Sequence, residues 1–234
     1  MTKLIEFSNV YKEYKTGENT LKAADNLNFT INRGELVIIL GPSGSGKSTL
    51  LNLLGGLDSV TKGKITVNSK EITKLNDEEL TKYRAQEIGF IFQFYNLIPN
   101  LTALENVELI NDITNEPIDG IKYLKKVNLE KHANNFPSEL SGGEQQRVSI
   151  ARAISKKPSM LLCDEPTGAL DSKTGYHVIK ILMDLCKNNK TTVIIVTHNI
   201  ELSRLANKVI HLKNGQIEKI DINENPKNID EINW

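Results

Sequence analysis

Apolar and polar positions alternate early in the chain, where Leu27, Phe29 and Ile31 sit two residues apart, and residues 35–40 close in an unbroken apolar run. Period two predicts strands, so residues 4–40 read as β-rich. A glycine loop follows directly, and 48–54 then reads as a helix. Further on, 63–67 has strand character, 77–85 helix and 88–92 strand. From about 100 to 155 the spacing is helical, with a break at Pro117 and Gly120. Residues 160–163 and 192–197 read as two short apolar strands separated by a helix at 173–186. Apolar strands that each precede a helix predict parallel strands buried on both faces. HLKNGQIEKI predicts a hairpin turning at Asn214-Gly215. The tail, DINENPKNIDEINW, is Asn-rich and polar and is expected to be loosely held. Trp234, the only tryptophan, either docks on the body or stays exposed.

A length of 234 residues suits one domain, or one core with a subdomain inserted. Twenty-nine Lys and Arg balance twenty-nine Asp and Glu, so no large field steers the chain to nucleic acid or anionic lipid. No apolar run approaches the ~20 residues of a membrane span. MTKLIEFSNV lacks a signal peptide's apolar core. Cys163 and Cys186 read as reduced thiols in a cytoplasm. Work at a membrane would then need a partner to hold the chain there.

GPSGSGKST, residues 41–49, fits the pattern G-x-x-x-x-G-K-[ST] between a strand and a helix. Gly41, Pro42, Ser43, Gly44, Ser45 and Gly46 form a loop whose backbone N–H groups can turn inward around phosphate oxygens. The helix behind it adds partial positive charge at its N-terminus. Lys47 is expected to reach the terminal phosphates, Ser48 to ligate Mg²⁺, and Thr49 to lie near the α-phosphate. The plain alternative is a Gly-Ser loop with a solvated lysine. By itself the loop does not separate kinase, GTPase, transporter ATPase and DNA-repair ATPase.

MLLCDEPTGALD adds the second half, because Asp164 and Glu165 emerge at the carboxyl end of an apolar strand, where ligands bind in open α/β sheets. Asp164 suits Mg²⁺, through water, and Glu165 suits the activation of an attacking water. Without the loop, Asp-Glu-Pro would read equally as an acidic turn. The pair favours hydrolysis over phosphoryl transfer to a second substrate.

LSGGEQQR, residues 140–147, has capping-box spacing between Ser141 and Glu144, which predicts a helix start. Gly142 and Gly143 in its first turn disfavour helix and expose bare N–H groups that suit a phosphate. With VSIARA after it, this run resembles the signature of ABC ATPases, the nucleotide-binding subunits of ATP-binding-cassette transporters. GPSGSGKST, the glutamine of FIFQ, LSGGE, MLLCDEP, GALD and VTH stand in the family's order over nearly the whole chain.

The resemblance implies an α/β fold: a P-loop NTPase core of ABC type with an antiparallel β subdomain and an inserted α-helical subdomain. It implies one domain over 1–234, with RecA-like core plus β subdomain at about 1–92 and 156–220, helical subdomain at about 93–155, and tail at about 221–234. Two subunits would pack head-to-tail around two Mg-ATP, each sandwiched between one chain's loop and the other's Ser141, Gly142 and Gly143. Ser141 either caps its own helix, contacts γ-phosphate, or does both. Gln93 matches the glutamine that meets Mg²⁺ and water, or is a polar strand end. His198 matches the switch histidine on γ-phosphate, and Asp171 the loop joining the two sites, with a helix N-cap as its other reading. Tyr14 matches the aromatic that stacks on adenine, with Tyr11 close by as a rival.

LLNLLGGLD, NLIPNLTALENV and PTGALDSKTG most resemble the lipoprotein-release and macrolide-efflux branch. The implied partner is a separate integral-membrane permease, which would hold the subunit on the inner face of the cell membrane for export or mechanotransmission. Tyr95, Leu97, Ile98 and Leu101, just past Gln93, form either a groove for a permease helix or ordinary core. A chromosome-maintenance ATPase would need a sustained heptad region, which is lacking, and translation-associated relatives join two cassettes in one chain. A small-molecule kinase should lack LSGGE.

Overall fold

The computed structural model describes residues 2–17, 19–111 and 117–232; Trp234 lies outside them. Two sheets organise the chain. The first is antiparallel, in the order β2 (Asn19–Asn32), β1 (Lys3–Thr16), β4 (Lys62–Val67), β5 (Lys70–Glu71). Across β1 and β2, Phe7 faces Phe29 with ring centroids 4.4 Å apart. The second runs β10 (Gln216–Ile222), β9 (Lys208–Lys213), β3 (Leu36–Leu40), β8 (Thr192–Thr197), β7 (Met160–Asp164), β6 (Ile88–Ile91). From β9 to β6 its neighbours are parallel, and β9–β10 is an antiparallel hairpin turning at Asn214 and Gly215, both at positive φ.

The apolar strands are buried on both faces, and period two splits them between two cores. Val37 and Ile39 of β3, Ile194 and Val196 of β8, and Met160 and Leu162 of β7 face the antiparallel sheet. Helix α1 (Lys47–Leu54) lies in the same layer through Leu50, Leu51, Leu53 and Leu54. Leu36, Ile38, Leu40, Leu161, Cys163, Val193 and Ile195 pack on the other side, against helices. Each fully buried aliphatic side chain contributes about 1.5–3 kcal/mol, and a one-residue slip in register would send every side chain of a strand into the core packed for its neighbours. Helix α2 (Asp77–Glu87) leads into β6.

The helical face comprises α3 (Ala103–Glu108), α4 (Gly120–Lys126), α5 (Gly142–Ser155) and α6 (Ser172–Asn189). The middle is less helical than its periodicity predicts. Leu129, Ala133 and Leu140 are buried, but Asn128 is left-handed and the backbone passes through short 3₁₀ turns at Glu130–His132 and Pro137–Glu139. The expectation of a loose tail is also corrected. Ile229 and Ile232 are 5% and 7% exposed and join the helical core. Tyr176 of α6 donates to Asp230, and Lys187 donates to Asn228 at 3.2 Å. Two isoleucines three residues apart, inside a turn closed by Asn228 and Glu231, anchor a segment whose composition reads as polar. Among the described residues, no helix is long and apolar enough to cross a membrane.

Candidate nucleotide site

Helix α1 differs from its peers at its N-terminus. Helices α2, α5 and α6 start with capping side chains, Asn76, Ser141 and Asp171. α1 starts from left-handed Gly46, with no side-chain cap and no acidic residue in its first turn. Its leading N–H groups are left to an acceptor outside the helix, which suits a phosphate. A side chain at Gly46 would come within 2.2 Å of the Ala23 carbonyl, so only glycine fits there. The β9–β10 turn braces the loop from below, with Gly215 N–H donating to Ser45 O at 3.0 Å.

A cavity of about 580 Å³ opens over this loop, lined by Ser43, Gly44, Gly46, Lys47, Ser48 and Thr49 from one side. Asp164, Glu165, Gly168, Gln93 and His198 complete the lower wall, and Tyr14, Leu21 and Ala23 the upper. Gly41, Pro42 and Ser45 form the underside: Lys47 Nζ donates to Gly41 O at 2.8 Å and Pro42 O at 2.9 Å, and Ser45 Oγ is buried. The lysine therefore sits at the loop with one N–H to spare, and a triphosphate would give it stronger acceptors.

Ser48 Oγ donates to Asp164 Oδ1 at 3.3 Å, which brings together the hydroxyl and carboxylate proposed for a cation. Burial pushes the Asp164 carboxyl above its usual range; the Ser48 hydroxyl opposes this, neighbouring Glu165 adds to it, and Lys47 opposes it. A divalent cation would relieve that cost, so these donors fit Mg²⁺. Next in sequence, Glu165 holds a left-handed backbone, φ 47°, uncommon for a side chain of its size. That turn aims its carboxylate at the end of β8, where Thr197 Oγ1 donates to Oε2 at 3.1 Å and His198 Nδ1 lies 3.0 Å from Oε1. Thr197 supports the candidate site through Glu165, and the sequence reading passed it over although it stands immediately before His198 in VTH.

Tyr14, not Tyr11, lines the cavity. Its hydroxyl donates to Asp58 Oδ2 at 2.6 Å. Gln93 lies in the turn two residues past β6, with its amide close to Gly168.

Ser141, Gly142, Gly143 and Asp171 stay outside the cavity wall. Ser141 N–H donates to Glu144 Oε2 at 2.8 Å, its hydroxyl donates to the same oxygen at 2.7 Å, and Glu144 N–H donates back to Ser141 Oγ at 3.3 Å. Asp171 caps α6, accepting from Thr174 N–H at 3.0 Å and Thr174 Oγ1 at 2.6 Å. Gly143 has a packing reason that phosphate chemistry did not suggest: an added Cβ would lie 2.1 Å from Thr174 Cγ2. Helix α5 also reaches the segments that follow Glu165 and Gln93. Gln146 Nε2 donates to Pro166 O at 3.0 Å, and Arg152 donates to Asn96 O and Tyr95 O at 2.7 and 3.0 Å. Of the apolar segment after Gln93, Leu97 packs on the core, while Phe94 and Ile98 are exposed.

Fold and site together define a P-loop nucleotide-binding protein with a carboxylate pair facing its phosphate loop. The family model for the ABC transporter matches residues 24–168, and the chain belongs to that family as an ATP-binding subunit and ATPase. It is 47% identical over 225 residues to the uncharacterized ABC transporter ATP-binding protein MJ0796 of Methanocaldococcus jannaschii, covering 92% of this chain and 96% of that one. A dimeric structure of the MJ0796 cassette in a post-hydrolysis state, bound to ADP and Pi, superposes with TM-score 0.87 at 45% identity, over 94% of this chain and 98% of that one. The macrolide export ATP-binding/permease protein MacB of Mannheimia succiniciproducens is 43% identical over 219 residues, 92% of this chain but 34% of MacB. These likenesses support the macrolide and lipoprotein-release branch.

Proposed function

We propose that two copies of this chain close head-to-tail around two ATP, and that closing and hydrolysis drive a separate membrane permease. The observation that carries this reading is the split of phosphate-binding elements. The loop 41–49, Asp164, Glu165, Gln93 and His198 surround one cavity, while the glycine-bearing start of α5 lies outside it. In the closed pair, Ser141, Gly142 and Gly143 of one chain complete the site of the other, with Asp171 at the joint. MJ0796, dimeric and bound to ADP and Pi, supports the arrangement.

Within each site, backbone N–H groups of the loop and Lys47 hold the phosphates, and Tyr14 takes the adenine ring. Ser48, Asp164 and Gln93 would hold Mg²⁺, which when bound offsets the charge of the β- and γ-phosphates. Glu165, fixed by Thr197 and His198, accepts a proton from the attacking water, and His198 then contacts the γ-phosphate. Closing excludes water and adds electrostatic stabilisation from both chains.

The permease contact falls on the segment after Gln93, where Phe94 and Ile98 are exposed and where the backbone of Tyr95 and Asn96 between them is tied to α5 by Arg152. MacB, whose name joins macrolide export with ATP-binding and permease functions, supports the export reading; a peptide or lipoprotein substrate, or mechanotransmission, is our proposal from the resemblance of the sequence alone. The subunit would then work on the cytoplasmic face of the cell membrane. The test is the solution mass of Glu165→Gln by size-exclusion light scattering. A dimer only with Mg-ATP is the expected result; a monomer in saturating Mg-ATP, with the permease present as well as without it, would refute the shared site.

A further inference from the structure

Tyr14 sits near the tip of the β1–β2 hairpin, opposite Leu21, which is 63% exposed. Such a position leaves a ring free to swing, yet this one is held on two sides. Its hydroxyl donates to Asp58 Oδ2 at 2.6 Å, and Lys12 Nζ lies 4.8 Å from the ring centroid, over one face. The same ammonium donates to Asp58 Oδ1 at 2.5 Å and to Ser59 O at 2.8 Å. Lys12 itself is buried. Burial raises the Asp58 carboxyl, but hydrogen bonds from Lys12, Tyr14 and Ser59 N–H outweigh it and hold the group ionised, below its ordinary range.

Asp58 does not touch the nucleotide cavity. It belongs to the loop leaving α1, where Asp58 N–H donates to Asn52 O at 3.3 Å. The helix that offers its N-terminus to phosphate thus holds, from its other end, the aromatic ring on the opposite wall. With one ring face taken by Lys12 and the hydroxyl pinned, the other face is left to a flat ligand.

We propose that Asp58 is a positioning residue which, through Tyr14 and together with Lys12, fixes the aromatic face that receives the nucleotide base. The inference rests on the reading of Tyr14 as the adenine contact. It assigns a role in base affinity to a residue that contacts no part of the nucleotide. The phosphates are gripped by the backbone of residues 43–48 and by Lys47; the Tyr14 hydroxyl also shares a hydrogen bond with the Thr49 side chain, so tripolyphosphate binding is the control for any effect passed on to the loop.

Calorimetric titration of ATP and of inorganic tripolyphosphate into the wild type, Asp58→Ala, Asp58→Asn, Tyr14→Ala and the double variant Tyr14→Ala/Asp58→Ala tests this. Loss of one positioning hydrogen bond weakens ATP binding about 3- to 10-fold in Asp58→Ala, with tripolyphosphate unchanged. Asp58→Asn, which keeps an acceptor for the tyrosine hydroxyl, retains most of the affinity. In the Tyr14→Ala background Asp58→Ala adds nothing. If Tyr14→Ala weakens ATP and Asp58→Ala does not, the positioning role is wrong and the Tyr14 reading stands. If Tyr14→Ala leaves ATP affinity intact, that reading falls and takes this one with it. Equal losses for ATP and tripolyphosphate, in variants whose melting is unchanged, would place the effect in α1 and overturn the proposal. Should Asp58→Ala fail to fold, Tyr14→Phe decides: it removes the same hydrogen bond and leaves the ring, so it should weaken ATP about as much as predicted for Asp58→Ala, and unchanged ATP affinity would overturn the proposal.

Discussion

Glu165 Oε1 and His198 Nδ1 lie 3.0 Å apart, at the ends of neighbouring parallel strands. The carboxylate proposed to activate water is therefore oriented by the residue proposed to meet γ-phosphate. Groups that act as a unit give non-additive losses. Glu165→Gln should still bind ATP and hydrolyse it about 10²–10⁴-fold more slowly. His198→Ala should also slow hydrolysis, and the double variant should be little slower than Glu165→Gln. Phosphate-release assays would show this, and fully multiplicative losses would mean that the two side chains work separately.

Asp164 carries a cost in the folded protein that its role explains. Its carboxyl is pushed up chiefly by burial, so the fold favours the protonated form. Such a group contributes stability at low pH and loses it as pH rises through the carboxylate range. Asp164→Asn stays uncharged throughout. Without nucleotide or Mg²⁺, the variant should melt above the wild type by roughly a few degrees at neutral pH. The gap should shrink as pH falls through the raised Asp164 pKa and be gone below about 4, the range of an unfolded carboxylate. Hydrolysis should be lost in the same variant. A melting difference independent of pH would remove the charge as its cause.

Most of the fold and nearly all of the phosphate site can be read from the chain, because each depends on local order. The runs of β3, β7 and β8 show strand period and burial, and GPSGSGKST states its own geometry. What escapes is contact between distant segments. Thr197 holding Glu165 and Asp58 holding Tyr14 span 32 and 44 residues, and no spacing rule links them. Composition misleads at the C-terminal segment, since two isoleucines among many polar residues suffice to dock it. The glycines of LSGGE carry two explanations at once, and only the approach of α6 reveals the second.

The docked segment gives a direct stability test. Ile229 is 5% exposed and packs in the helical core, whereas Ile222 is 64% exposed at the sheet edge. Truncating a buried isoleucine to alanine costs about 2–5 kcal/mol, and an exposed one should change stability by less than about 0.5 kcal/mol. Urea unfolding of Ile229→Ala and Ile222→Ala should separate by about 2 kcal/mol or more. Equal midpoints would mean that the segment adds nothing to the core.

Gly143 lets α5 approach α6 closely, and the partner it approaches cannot easily yield. A Cβ there would stand 2.1 Å from Thr174 Cγ2, well inside contact distance. Thr174 is β-branched, and its hydroxyl is held by Asp171 Oδ2 at 2.6 Å, so turning the methyl away breaks the α6 cap. Gly143→Ala should therefore cost about 1–3 kcal/mol through overpacking, although alanine favours helix. Thr174→Ser removes the methyl and keeps the hydroxyl. In that background Gly143→Ala should become neutral or stabilising, by up to about 1 kcal/mol from helix propensity. Urea unfolding of the two single variants and the double measures this coupling. If the serine restores stability but not the ATP-dependent dimer, Gly143 serves packing and the partner's phosphate together. If it restores both, packing alone accounts for the glycine, and its place among the residues that complete the partner's site is withdrawn.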